Sequence, residues 1–110
     1  MSYQHRDLAA GRWREMSLIE RMANIGSEVE RALNWRTKNN AEYSGRAFER
    51  ALELIDLSIE HSLQPSHLRE ITRLREILVD YFDGTNEFDS TEAALRKYFS
   101  YFAFAARKNS

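Results

Sequence analysis

The sequence contains no cysteine, one proline and four glycines among its 110 residues. Without cysteine, disulfide bonds, thiolate catalysis and cysteine-ligated metal sites are excluded. Proline and glycine are the usual breaks in regular structure, so their scarcity favours long helices joined by short turns. A chain of this length corresponds to one ordinary domain, which can build a single hydrophobic core.

The chain also lacks a strong excess of either charge and any long apolar run. Its 16 basic and 17 acidic residues give a formal net charge of −1, which argues against a general binder of nucleic acid or of membrane surfaces. No apolar stretch approaches the length of a membrane span. The opening residues, MSYQHRDLAAGRWREM, lack the apolar core of a secretion signal. We therefore expect a soluble, cytoplasmic protein.

Apolar residues recur at helical spacing in four segments, which predicts an all-α fold. The first segment follows Ser17 and Glu20, which form a capping-box pair. The second, at about residues 41–62, is apolar over close to half of its circumference, so we place it centrally among the helices. The third covers about 66–82, and the fourth ends at about Arg107.

Four amphipathic helices with short connections predict an up-down-up-down four-helix bundle over residues 17–110, preceded by a short N-terminal arm, residues 1–16. Asn39 and Asp89 are the predicted N-caps of the second and fourth helices. Gly26 lies at the edge of the first apolar stripe, where a missing side chain lets a neighbouring helix approach closely.

Several apolar side chains fall outside the predicted core faces. In KYFSYFAFAARK, five aromatic residues lie within seven positions; Phe104 projects from the polar side of that helix and Tyr101 lies at its boundary. Trp35 and Leu57 are similar outliers on the first and second helices. Because large aromatics are enriched at interface centres, these four residues predict a protein contact surface, with a homodimer as the simplest assembly. The sequence leaves open that the arm or a loop of the same chain covers Trp35 and Phe104.

Residues with recognisable catalytic or ligand-binding patterns are not found. Four carboxylates on the outer face of the second helix alternate with arginines and lack the Glu-x-x-His step of metal-binding bundles. His61 and His67 flank the turn at Pro65 and are assigned ordinary surface roles. No phosphate-cradling glycine loop or nucleophile elbow occurs. No catalytic residue, cofactor or metal is predicted. The sequence leaves undecided whether a pocket between helices binds a substrate or a small ligand.

The N-terminal arm suggests an alternative function. The segment RDLAAGRWR places Arg6, Arg12 and Arg14 around Trp13, and a basic arm with an aromatic ring can bind single-stranded nucleic acid by charge and stacking. Structural pairing of these arginines is the competing interpretation, and it makes nucleic acid the less favoured partner. Trp13 can also fold back over the end of the bundle.

The segment AFERALELIDLSIE resembles the central helix of small prokaryotic bundles of the HEPN type. It is especially similar to the substrate-binding partners of minimal nucleotidyltransferases, in which an aromatic–Glu–x–x–x–Glu–Leu helix packs centrally. The whole-chain pattern, including NIGSEVERAL and KYFSYFAFAAR, also resembles an uncharacterised family of small prokaryotic proteins. The Arg-to-His element of HEPN ribonucleases is missing, so a nuclease is not implied. The resemblance implies a dimeric bundle whose partner is another protein, such as a nucleotidyltransferase-like protein.

Overall fold

The computed structural model describes the backbone of residues 6–61 and 64–108, and the side chains from residue 11 onward within those ranges. Regular structure in these ranges is entirely helical, which confirms the all-α prediction. Chain order gives α1 (Arg6–Glu15), α2 (Leu18–Thr37), α3 (Ala41–Glu60), α4 (Pro65–Asp83) and α5 (Glu92–Lys108). None of these helices is both long enough and apolar enough to cross a membrane.

The N-terminal arm contains a helix, α1, that the hydrophobic pattern did not predict. This helix packs against α3. Trp13 is buried, and its indole Nε1 donates a 2.5 Å hydrogen bond to Ser58 Oγ. The Ser58 hydroxyl in turn donates to the carbonyl oxygen of Leu54, at 2.9 Å. Trp13 therefore folds back onto the chain, which is one of the two placements that the sequence left open.

A buried arginine joins α2 to the C-terminal end of α3. The guanidinium of Arg21 donates to the carbonyl oxygens of Ser58 (3.3 Å) and His61 (2.6 Å), and its Nε donates to the carbonyl of Met16 (3.2 Å). The last carbonyls of a helix lack intrahelical donors and carry a partial negative charge. Arg21 therefore caps α3 by its charge, although burial lowers the pKa of its guanidinium.

The core lies where the apolar faces of α2, α3, α4 and α5 meet. α2 packs against α3 and α5, and α3 packs also against α4 and α1. The prediction that the second amphipathic helix, now α3, contacts more than one neighbour is confirmed. The largest fully enclosed apolar side chains are Met22, Ile25, Val29, Leu33, Ile55, Ile71 and Leu78.

α2 and α5 approach each other closely at Gly26. A β-carbon on Gly26 would lie 2.8 Å from Cδ1 and 2.9 Å from Cβ of Phe99. Both distances are shorter than a van der Waals contact between carbon atoms, which is about 3.5–4.0 Å. The missing side chain therefore lets the Phe99 ring rest on the backbone of α2, which is the packing role expected for this glycine.

The first predicted cap is confirmed, and the second is displaced by one residue. Ser17 Oγ accepts from the backbone N–H of Glu20, whose carboxylate accepts from the N–H of Ser17, completing a capping box at α2. At α3 the cap is Asn40, whose Oδ1 accepts from the N–H of Tyr43 at 3.0 Å. Asn39, the predicted cap, adopts φ 60° in the turn instead. Asparagine tolerates this left-handed conformation better than most residues do.

The cap of α5 also differs from the prediction. Asp89 adopts φ 53° in the turn, and Thr91 Oγ1 accepts from the N–H of Ala94 at 3.0 Å. The connection from α4 is held by Asp80, whose carboxylate accepts from the N–H of Glu87 at 2.7 Å. These bonds set where α5 begins.

Gly26→Ala is expected to destabilise the protein although alanine favours helix formation. Overpacking costs about 1–3 kcal/mol, against a gain in helix propensity of about 1 kcal/mol. Gly45→Ala is the matched control, because no atom lies within 4 Å of a β-carbon at that position. It should stabilise the protein by about 0.5–1 kcal/mol. Urea unfolding measures both changes, and equal stabilisation by the two variants would contradict the close approach at Gly26.

Arg21→Met is expected to lower the free energy of unfolding by about 2–3 kcal/mol, because buried carbonyl oxygens lose their donors. Methionine retains the apolar stem, so a packing defect is minimised. Arg21→Lys retains the charge without the planar fork and should cost less. Thermal unfolding, monitored by far-UV circular dichroism, provides the measurement. Unfolding of Arg21→Met at the wild-type temperature would show that the guanidinium bonds do not stabilise the junction.

Candidate contact surface

The structure places the four predicted contact residues in different environments. Tyr101 and Phe104 are exposed on α5, at 63% and 62%. Leu57 is only 4% exposed, so the prediction that its side chain lies stranded outside the core is wrong. α3 is packed by α1, α2 and α4, and a residue off its main apolar stripe is therefore still enclosed.

Trp35 is half-buried by residues of its own chain. Its ring meets the ring of Tyr43 edge to face, with centroids 4.9 Å apart and an interplanar angle of 82°. Lys38 Nζ lies 5.2 Å from the centre of the Trp35 ring. The Trp35 ring is thus covered in part by Tyr43, from the first turn of α3, and by Lys38, from the turn between α2 and α3.

Five exposed residues form a single stripe along α5, which we call the outer stripe. Successive members are three or four residues apart, so they project from one side of the helix. The core-facing residues Leu95, Phe99 and Phe102 lie on the other side. The members of the outer stripe are Ala94, Lys97, Tyr101, Phe104 and Lys108, and each is exposed. Phe104 and Tyr101 are therefore neighbours on one surface.

A groove runs between α4 and α5 beside the outer stripe. α4 packs chiefly on α3 and α5 packs chiefly on α2, so α4 and α5 do not close against each other along their length. Two adjoining cavities, of about 340 and 530 Å³, occupy this α4–α5 groove. Apolar side chains line it, among them Leu74, Ile77, Tyr98 and Phe102. An apolar groove of this size can accept a complementary side chain.

Tyr98 spans the α4–α5 groove. Its hydroxyl donates to Glu70 Oε2 on α4 at 2.9 Å, and its ring meets the Phe102 ring with centroids 5.3 Å apart. Burial of the ring, followed by the hydrogen bond and charge of Glu70, raises the pKa of Tyr98 above its ordinary value. A tyrosine hydroxyl is protonated at neutral pH even at its ordinary pKa of about 10, and here it donates its proton to Glu70.

The residues of the nucleic-acid alternative lie in different environments. Trp13 is buried with its indole bonded to Ser58, so its ring is not exposed for the stacking that this alternative requires. Arg14 Nε donates to His61 Nδ1 at 3.2 Å, which is an internal use of its guanidinium. Arg12 is exposed, and the side chain of Arg6 lies outside the described residues.

Two carboxylates of α3, Asp56 and Glu42, form ion pairs with arginines. Asp56 accepts from Arg75 Nε of α4 at 2.8 Å, and Glu42 accepts from Arg46 at 2.6 Å. Among the side chains of residues 11–61 and 64–108, no three His, Asp or Glu residues are grouped closely enough to hold a metal ion. The Arg75–Asp56 pair bridges α4 and α3 at a largely exposed position, where an ion pair contributes little to stability.

Comparisons of the chain with protein-family models, curated proteins and solved structures find no match. The HEPN-type resemblance stays a hypothesis that depends on the residues of α3. The geometry of α4 and α5 is therefore the basis for a functional proposal.

Phe104→Ala is expected to change the free energy of unfolding of the monomer by less than about 0.5 kcal/mol, because the ring is mostly in solvent. Phe99→Ala, the matched substitution on the core side of α5, should cost about 3–5 kcal/mol. Urea unfolding at low micromolar protein concentration compares the two variants. A large loss with Phe104→Ala would mean that the ring is packed within its own chain.

Proposed function

We propose that this protein is a non-catalytic helical bundle that acts through protein–protein contacts and pairs with a second copy of itself through α5. In this proposal α2, α3, α4 and α5 form an up-down-up-down four-helix bundle, residues 17–110, and residues 1–16 are an N-terminal extension. The observation that carries the proposal is the outer stripe, in which Tyr101 and Phe104 are each more than 60% exposed. Aromatic anchors of this kind dominate the energetics of interfaces when they become buried.

The charges of α5 favour antiparallel pairing of two copies. Glu92 lies in the first turn, and Arg107 and Lys108 lie in the last turn. If the two helices cross antiparallel at Tyr101, the basic turn of each copy lies beside the acidic turn of the other. The two helix dipoles also oppose each other, which is the favourable arrangement. Parallel pairing would instead set Lys97 against Lys97 of the second copy.

The same register brings Phe104 of each copy to the α4–α5 groove of the other copy. With Tyr101 on the two-fold axis, Phe104 of one copy faces Tyr98 of the second copy. Tyr98 lines the groove, so each Phe104 ring enters the groove of the other copy. A two-fold interface uses one patch twice, and a single exposed aromatic residue therefore supplies two buried anchors.

The proposed pairing through α5 is independent of any heterologous partner and of the cellular location. The HEPN-type resemblance implies a nucleotidyltransferase-like partner, and it does so through α3 alone. Composition and the absence of a membrane-span pattern underlie the expectation of a cytoplasmic protein. Pairing through α5 requires neither statement, so a test of the dimer does not depend on them.

Phe104→Glu and Tyr101→Glu are each expected to convert a dimer into a folded monomer, because a charge replaces an aromatic anchor at the centre of the interface. A hot-spot loss of about 2–4 kcal/mol corresponds to a rise in the dimer Kd of roughly 30- to 1,000-fold. Light scattering coupled to size exclusion measures the mass over a range of concentrations, and circular dichroism checks the helix content.

Tyr43→Glu is the matched control, since Tyr43 is an exposed aromatic residue on α3 and should leave the dimer intact. Lys108→Glu should weaken pairing, and mixing that variant with Glu92→Lys should recover it in a mixed dimer. A monomeric wild type at all concentrations, or a dimer that survives Phe104→Glu, would overturn the proposal.

A further inference from the structure

A small cleft lies between α2 and α3, and it shares no lining residue with the α4–α5 groove. Its volume is about 180 Å³, and it is lined by Arg31, Trp35, Tyr43, Arg46 and Arg50. The two residues from α2 are four apart, and those from α3 are three and four apart, so each helix contributes one face. We call this the arginine–aromatic cleft.

Positive charge exceeds negative charge among the lining residues and their ion-pair partners. Arg31 pairs with Glu28 at 2.7 Å and Arg46 pairs with Glu42 at 2.6 Å. The two arginine side chains are 54% and 60% exposed, and exposed pairs of this kind contribute little to stability. Each guanidinium carries five N–H donors, so both can accept a further anion. The half-buried Arg50 is the third cation that lines the cleft.

The aromatic side of the cleft has one half-buried ring, Trp35, and one exposed ring, Tyr43. Trp35 is half-buried and meets Tyr43 edge to face. The Tyr43 ring is exposed, and the guanidinium of Arg46 lies 5.5 Å from its centre. Lys38 Nζ lies 5.2 Å from the centre of the Trp35 ring. A planar group that stacks on Tyr43 would therefore lie among cationic side chains.

We propose that the arginine–aromatic cleft binds a nucleoside phosphate, either free or at the end of a single strand. The phosphoryl group, with about 1.5–2 negative charges and three acceptor oxygens, matches the forked donors of Arg31, Arg46 and Arg50. The planar base stacks on Tyr43, as bases do on exposed aromatic side chains of single-strand binders. Inorganic phosphate uses the arginines alone, and a peptide carboxylate has less charge and no ring.

The test uses the full chain in low-salt buffer, with binding followed by NMR shifts of α2 and α3 amides. The probes are adenosine 5′-monophosphate, adenosine, inorganic phosphate, O-phosphotyrosine and a short 5′-phosphorylated single-stranded DNA. Adenosine 5′-monophosphate should bind at least about tenfold more tightly than adenosine or inorganic phosphate, because it alone of the three uses both halves of the cleft. Tighter binding of the DNA identifies a strand end, and equal binding identifies a free nucleotide; both support the proposal.

Arg50→Gln and Tyr43→Ala should each weaken binding of adenosine 5′-monophosphate about tenfold. Arg69→Gln is the control, because Arg69 is an exposed arginine on α4 that does not line the cleft. Thermal unfolding checks that each variant is folded. No binding to the wild type, equal losses with Arg50→Gln and Arg69→Gln, or tighter binding of O-phosphotyrosine would overturn the proposal. The same variants should keep the wild-type mass in light scattering. Failure of the nucleotide-binding proposal can therefore be distinguished from failure of the dimer proposal.

Discussion

The arrangement of the first three helices depends on one buried cation. Taking a guanidinium out of water is costly, and Arg21 offsets that cost by donating to carbonyl oxygens at the end of α3 and at the turn before α2. Trp13 is bonded to Ser58, one of the residues whose carbonyl accepts from Arg21. The start of the described chain is thereby tied to the end of α3. This segment is therefore part of the structural framework, with Trp13 buried in it.

The two functional proposals follow from the packing of the last two helices, since α5 packs chiefly on α2 and α4 packs chiefly on α3. α5 is attached to α2 through the close contact of Phe99 with Gly26 and through Arg96, which donates to Asn34 at 2.9 Å. α4 is attached to α3, where Arg75 pairs with Asp56. Because α4 and α5 have different supports, an apolar groove remains between them beside the exposed rings. The arginine–aromatic cleft lies instead between the two supporting helices.

Local patterns predicted the helices well and their caps less well. The capping box at Ser17 and the extent of α2 to α5 follow from residues close together in sequence. Asn39 and Asn40 are chemically equivalent candidates, however, and only the path of the turn decides which one caps α3. Arg21 stands three residues after Leu18 and four before Ile25, so its spacing indicated a core-facing position. Two of its three acceptors lie 37 and 40 residues away, and no local pattern could identify those two.

The sequence by itself determined that Phe104 points away from the core, because a helix turns by about 100° per residue and the other rings of α5 occupy its apolar face. Only the tertiary structure decided that Leu57 is enclosed while Tyr101 is exposed, and that Trp35 meets Tyr43 beside three arginines. The direction of a side chain on its own helix is a local property. Whether that side chain is covered depends on which helices lie beside it, and contacts between distant segments decide that.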